Sequence, residues 1–535
     1  MRSPTVDVAP GTGLRRLSGA DEPKRPAPKA PLPAPEVKRS KLPRAIGPTA
    51  GVIVGDKRYT GYDQPMVIYG ATGAGKTSWL IRNIIRSPGP TIISSMKPEL
   101  FAYTAGWFTE SGRPVTVLDC DGDLDIPATM RLRWSPVASC ITDELAKNLP
   151  DVVERVPSRA GGWVDTSQAE KIAGRLAYGA IPGSNADDGW RGQTEGVVTA
   201  LLVAAAAGGI SDIRQMIGWV ESVNATREPL DILRMAGLSS FRSRLNGALG
   251  PASAHGGANR ASFVNLVSRA LDGLRNPYVV QMAMCTPATS FDVKRFIEER
   301  GVLYLLGSSD SQKVVATIVA TMIEDVIERA SKLAQPLRPP LTLWLDEAAN
   351  TAPLPKMPEL YSTARGMGVF PVTVFQSYAQ EVGRWGEEGA ATIGANAVVE
   401  IHLGGSKDQT MLGWLERAGG QSDVRTTSSS YGQGTHTRTV GQTRQARFDI
   451  AELRGLPPRH AWLVYSGAMP VETHLAPWWE CSERPAVELA LEQATAKWVD
   501  QAGTEHQWVP DKLMPRGAPP RQGALGRVVA GLFGK

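Results

Sequence analysis

A chain of 535 residues exceeds what one hydrophobic core usually supports, and 42% apolar with 21% charged residues is ordinary for a soluble globular protein. Four separated cysteines (Cys120, Cys140, Cys285, Cys481) with no C-x-x-C pair exclude a zinc ribbon or a dense disulfide framework. The net charge of +5 is local: residues 1–46 hold ten Lys or Arg against four Asp or Glu, so the remainder is nearly neutral and its charge argues little for nucleic-acid binding.

Residues 1–46 are also rich in proline, from Pro23 to Pro35, and read as a disordered basic tail. From Met66 the pattern changes to short apolar runs separated by helical stretches. Strands are expected at 66–69, 91–94, 115–118, 302–306, 341–345, 372–375, 398–402 and 461–465. Near-continuous apolar strands alternating with helices predict an α/β fold with a mostly parallel sheet covered on both faces. Between 146 and 288 the helix-like stretches 169–178, 194–207 and 213–223 predict an inserted all-α domain, which divides the α/β domain into 47–145 and 289–480. The longest apolar run, Val197 to Ala207, is far short of the roughly 20 residues a bilayer crossing needs and reads as a buried helix. The chain also lacks a signal-peptide pattern at its start, so a cytoplasmic protein is expected.

The first chemical signal is Gly70-Ala71-Thr72-Gly73-Ala74-Gly75-Lys76-Thr77, a full G-x-x-x-x-G-K-T between the strand at 66–69 and a helix expected over 78–86. Its glycines let backbone N–H groups curl around phosphate at a helix N-terminus; Lys76 is expected on the β- and γ-phosphates of ATP and Thr77 on Mg²⁺. The second is the apolar strand at 341–345 ending in Asp346-Glu347, which places Asp346 in the Mg²⁺ shell and Glu347 at the attacking water. Arg365 precedes the strand at 372–375 and is either an arginine finger for a neighbouring subunit's nucleotide or a surface-turn arginine. Gln376 ends that strand, as a γ-phosphate sensor or as a solvent-facing strand end.

A polar stretch over 422–447 carries Arg425, Arg438, Arg444 and Arg447 against one acid, Asp423. It reads as a pore loop touching DNA phosphates or as a solvated hairpin. Residues 481–535 read as a C-terminal tail. Within it Leu525, Val528, Val529, Leu532 and Phe533 outline an amphipathic basic helix weakened by glycines, the alternative being a disordered end.

On these residues the chain resembles the type IV coupling proteins of conjugation and type IV secretion. The resemblance spans Gly47 to Trp479 and rests on the P-loop, Ser95-Met96-Lys97-Pro98-Glu99, the aspartate strand 117–119, Asp346-Glu347-Ala348-Ala349-Asn350, Ala364-Arg365-Gly366-Met367-Gly368-Val369 and Phe375-Gln376-Ser377. It implies a RecA-like P-loop NTPase domain with an inserted all-α domain, and a homo-hexameric ATPase around DNA. It further implies delivery of a relaxase or other secreted protein to secretion-channel components. Family members usually begin with membrane-spanning helices. None is visible here, so a soluble variant is expected, held peripherally at the membrane by a partner or by its tails. The Lys-x-Glu segment departs from the family pattern at Lys97-Pro98, and Lys97 is assigned no catalytic role. Two alternatives remain open: a double-strand DNA pump of the segregation-motor type, which usually adds a winged-helix module, and an adaptor that uses ATP as a switch.

Overall fold

The computed structural model describes residues 52–55, 58–61, 64–143, 156–181, 188–250, 257–432, 435–499 and 504–514. The expected tail at 1–46 and the amphipathic segment at 525–533 lie outside them. A nine-stranded sheet organises the chain: β1 (Met66–Tyr69), β2 (Thr91–Ser95), β3 (Val115–Asp119), β4 (Val302–Leu306), β5 (Leu341–Leu345), β6 (Val369–Phe375), β7 (Val399–Leu403), β8 (His460–Tyr465) and β9 (Val471–His474). Their spatial order is β9-β8-β7-β1-β6-β5-β2-β4-β3. The pairs from β7 through β3 are parallel, and β8 and β9 close one edge antiparallel. Strands buried on both faces favour apolar side chains at most positions, which is why they read as near-continuous runs despite buried polar residues such as Thr342, Glu400 and His402. Pro371 inside β6 is tolerated because β1 joins its ladder only at Val372, so no bond to β1 is lost there.

Helices α1 (Lys76–Ile84) and α2 (Glu99–Glu110) follow β1 and β2. The described elements between β3 and β4 are mainly helices, among them α3 (Thr166–Ala180) and α4 (Asp188–Gly208). Residues 197–207 of α4 are all buried, so this apolar run is a core helix. The helix α5 (Ser309–Leu333) after β4 ties the inserted helices to the sheet layer through buried charge. Asp325 accepts hydrogen bonds from Trp134 Nε1 (3.0 Å), Ser139 Oγ (3.2 Å), Gln168 Nε2 (2.5 Å) and Arg329 Nε (3.0 Å). Beside it Arg175 Nε pairs with Glu324 at 2.8 Å and its Nη2 with Glu328 at 3.0 Å. A buried charge persists only when its lone pairs are met in this way.

Helices α6 (Met357–Met367) and α7 (Tyr378–Asn396, broken at Gly386) flank β6. The polar stretch after β7 is an antiparallel hairpin, Gln421–Gly432 with Thr435–Ala446. The expected tail from 481 is a correction. Helix α8 (Arg484–Thr495) packs on α2 so closely that a Cβ at Gly106 would stand 2.8 Å from the Ala490 Cα. Glu483, just before α8, binds Arg82 Nε at 3.1 Å and Arg86 Nη1 at 2.6 Å on and beside α1. The buried residues Ala486, Val487, Leu489, Ala490, Leu491 and Ala494 form the apolar face of α8, and Gly106 of α2 leaves the room for Ala490 to approach.

Candidate functional site

At the C-terminal edge of the sheet, β1 gives way to the loop 70–75 and then to α1. The Gly70 N–H donates to Phe375 O at 3.0 Å, which fixes the loop's start against the end of β6. Gly75 caps α1 with φ 98, a left-handed conformation open to glycine but costly for other residues, and no side chain caps the helix. The first-turn amides are therefore left for an anion. Lys76 is buried and its Nζ donates to Gly70 O (2.6 Å) and Ala71 O (2.9 Å). Burial lowers its pKa, while the charges of Asp346 and Glu347 oppose that shift.

The acid pair arrives on β5, between β6 and β2. The Asp346 N–H donates to Ser94 O at 2.9 Å, and Ser95 Oγ donates to Asp346 Oδ2 at 3.4 Å. Burial, then the Glu347 charge, pushes Asp346 up to about 6, with Lys76 pulling the other way. Glu347 adopts φ 52 and ψ 49, left-handed for a residue with a side chain, and its carbonyl accepts from Asn350 N (2.8 Å) and Thr351 N (3.0 Å). Such a conformation costs about 1–2 kcal/mol and recurs at functional sites. Residues 71–77 and the pair Asp346–Glu347 line one cavity of about 1090 Å³, large enough for a nucleoside triphosphate. Thr77 and Asp346 supply a hydroxyl and a carboxylate, hard oxygen donors of the kind Mg²⁺ takes beside phosphate and water. Among the described residues no group of three His, Cys, Asp or Glu would hold a metal by itself.

The other expected residues lie farther out. Gln376 directly follows Phe375 and so abuts Gly70, and its backbone N–H donates to Gln380 Oε1 at 2.9 Å; it is not among the cavity's lining residues. Arg365 is exposed in the last turn of α6, which hands over to the opposite end of β6. Seven strand residues put roughly 20 Å between the two edges, so Arg365 does not join its own chain's cavity. Lys97, exposed, lines the mouth with Glu99. Asp119 is spent on its own turn, accepting from the N–H groups of Asp121 (3.1 Å), Gly122 (3.1 Å) and Leu124 (2.7 Å). In the hairpin, the register sets Asp423 opposite Arg444, which pair at 3.5 Å, and places positions 425, 438 and 444 in one alternating set.

Sequence reasoning missed the far end of the cavity, formed by Gly404 and Gly405 after β7, Leu456 to Arg459 before β8, His474 and Trp479. No motif marks them. They meet the loop only because β7 is the other neighbour of β1.

Residues 340–458 match the family described as the TraM recognition site of TraD and TraG. No curated protein matches the chain significantly in sequence. Among solved structures, the bacterial conjugative coupling protein TrwBdeltaN70 in an unbound form superposes with a TM-score of 0.57 at 16% identity, covering 78% of this chain and 85% of that one. The plasmid coupling protein TrwB in complex with ADP and Mg²⁺ gives 0.55 at 16% identity, over 79% and 88%. The same protein with a non-hydrolysable ATP analogue gives 0.52 at 15% identity, over 78% and 86%. The sequence match is thus confined to 340–458, while the likeness to the conjugative coupling protein is one of fold and extends over nearly four-fifths of the chain. No described helix is long and apolar enough to cross a membrane.

Proposed function

We propose that the chain is an ATP-hydrolysing, Mg²⁺-dependent motor that moves DNA and couples a relaxase–DNA substrate to a conjugative or type IV secretion channel. One observation carries the reading: the loop 71–77 and the pair Asp346–Glu347 converge in a single cavity, in a chain whose residues 340–458 match the TraM recognition site. Bound phosphate would draw Lys76 Nζ off the Gly70 and Ala71 carbonyls, exchanging two neutral acceptors for an anion. Thr77 and Asp346 would hold Mg²⁺, whose charge favours the ionised form of Asp346 that burial resists. Glu347 orients or deprotonates the attacking water, and Gln376, joined through Phe375 to Gly70, reports the γ-phosphate to α7.

Arg365 on the opposite sheet edge serves a second copy's nucleotide, as a homo-hexameric ring requires. The hairpin 421–446 faces the ring's channel and touches DNA phosphates through its arginines. The segments 1–46 and 525–533 hold the protein to a membrane surface.

The test is ATP turnover by purified protein with and without DNA. DNA is expected to stimulate it, Lys76→Ala to abolish it, and Glu347→Gln to bind ATP without hydrolysing it. Wild-type hydrolysis by Glu347→Gln would refute the role given to this acid.

A further inference from the structure

The cavity has an end that phosphate chemistry leaves unused. There Leu456, Pro457, Pro458 and Trp479 present an apolar wall a short distance from the phosphate loop. Arg459 links the two ends. It holds φ 64, unfavourable for a residue with a side chain, and its carbonyl accepts from Leu475 N at 2.8 Å. Its stem lies against the N-terminus of α1, with Cγ 3.4 Å from where a Gly75 Cβ would stand. Its guanidinium stacks over Trp479 at 5.0 Å from the ring centroid and pairs with Glu480 at 3.4 Å. Arg459 thus fixes an aromatic ring beside the phosphate site, a platform ordered before any ligand arrives.

We infer that this end is the nucleoside subsite, with the base stacked on Trp479 and packed against the Leu456–Pro458 wall. The inference rests on the nucleotide reading of the same cavity. Stacking uses the π-face that every base has, so adenine and guanine are held about equally well.

Titration calorimetry of the full chain with Mg²⁺ and ADP, GDP or pyrophosphate tests this. The wild type should bind ADP and GDP within about threefold of each other, and both more tightly than pyrophosphate. Trp479→Ala and Trp479→Leu should weaken ADP about tenfold, the scale of one base–aromatic stack, and leave pyrophosphate within about twofold; Trp479→Phe should keep most of the affinity. Retained pyrophosphate binding shows that each variant is folded at the loop, and the leucine variant keeps the apolar bulk that alanine removes. An unchanged ratio of ADP to pyrophosphate affinity in both variants overturns the subsite. A wild type that binds neither ligand overturns the nucleotide reading instead.

Discussion

Glu381 is a carboxyl in the core, one turn into α7, and it offers a quantitative test of how the loop-bearing strand is held. It is fully buried; Tyr69 Oη donates to its Oε1 at 2.9 Å, and its Oε2 has no partner. Burial, with the charges of Glu400 and Asp408 adding to it, raises its pKa from 4.5 to about 8, against the opposing Tyr69 hydrogen bond. The folded state therefore keeps a proton that the unfolded chain releases. Stability is full below about 4.5 and falls as pH climbs toward about 8, the reverse of an ion-paired acid. At 1.36 kcal/mol per pH unit the loss is about 1 kcal/mol at pH 5 and about 3 kcal/mol at pH 7. Glu381→Gln keeps an acceptor for Tyr69 and removes the titration. The cost of its amide, placed where Oε2 lacked a partner, does not vary with pH. In urea unfolding the variant should gain on the wild type by roughly 2–3 kcal/mol between pH 5 and pH 7, because the other titrating groups are common to both. A gap that stays constant with pH would show that Glu381 does not hold its proton in the fold. Tyr69 immediately precedes Gly70, so the same pH change should also alter nucleotide affinity.

If Arg365 acts on a neighbouring subunit, Arg365→Ala should bind ATP but fail to hydrolyse it, and mixing it with Lys76→Ala protein should recover part of the activity; no recovery in rings shown to exchange subunits would refute the role. Replacing Arg425, Arg438, Arg444 and Arg447 together should reduce the slope of log affinity against log salt for DNA by about three to four, measured by fluorescence anisotropy, if each neutralises a phosphate. Asp325→Ala should cost about 3–5 kcal/mol in thermal or urea unfolding, since it strands Trp134 Nε1, Ser139 and Gln168 without their acceptor; a loss under 1 kcal/mol would show that water replaces it.

The sheet was legible because its strands are buried on both faces: Val302–Leu306 and Leu341–Leu345 have no polar alternation to blur them. The edge strand Val471–His474 escaped notice because two of its four residues are exposed, whereas the hairpin was one of the two readings open for 422–447, its strands of Ser, Thr, Gly and Arg carrying no apolar face to decide it. For α8 the deciding feature lay far away in sequence, at Gly106 on α2. The phosphate loop and the acid pair could be read locally, since backbone and side chains a few residues apart form each half. Arg459 and Trp479 could not, because the place of Arg459 beside Gly75, and of Trp479 in the same cavity, depends on β7 and β8 following β1 across the sheet. Arg365 was visible as a candidate, yet only the direction of β6 shows that it stands away from its own cavity.

The most direct test of the motor is displacement of streptavidin from end-biotinylated DNA, run on single- and double-stranded substrates. The account predicts that wild-type protein with ATP strips the block from at least one form. It also predicts that a non-hydrolysable analogue or Glu347→Gln leaves the block in place. DNA-stimulated ATP turnover without displacement from either form would contradict it.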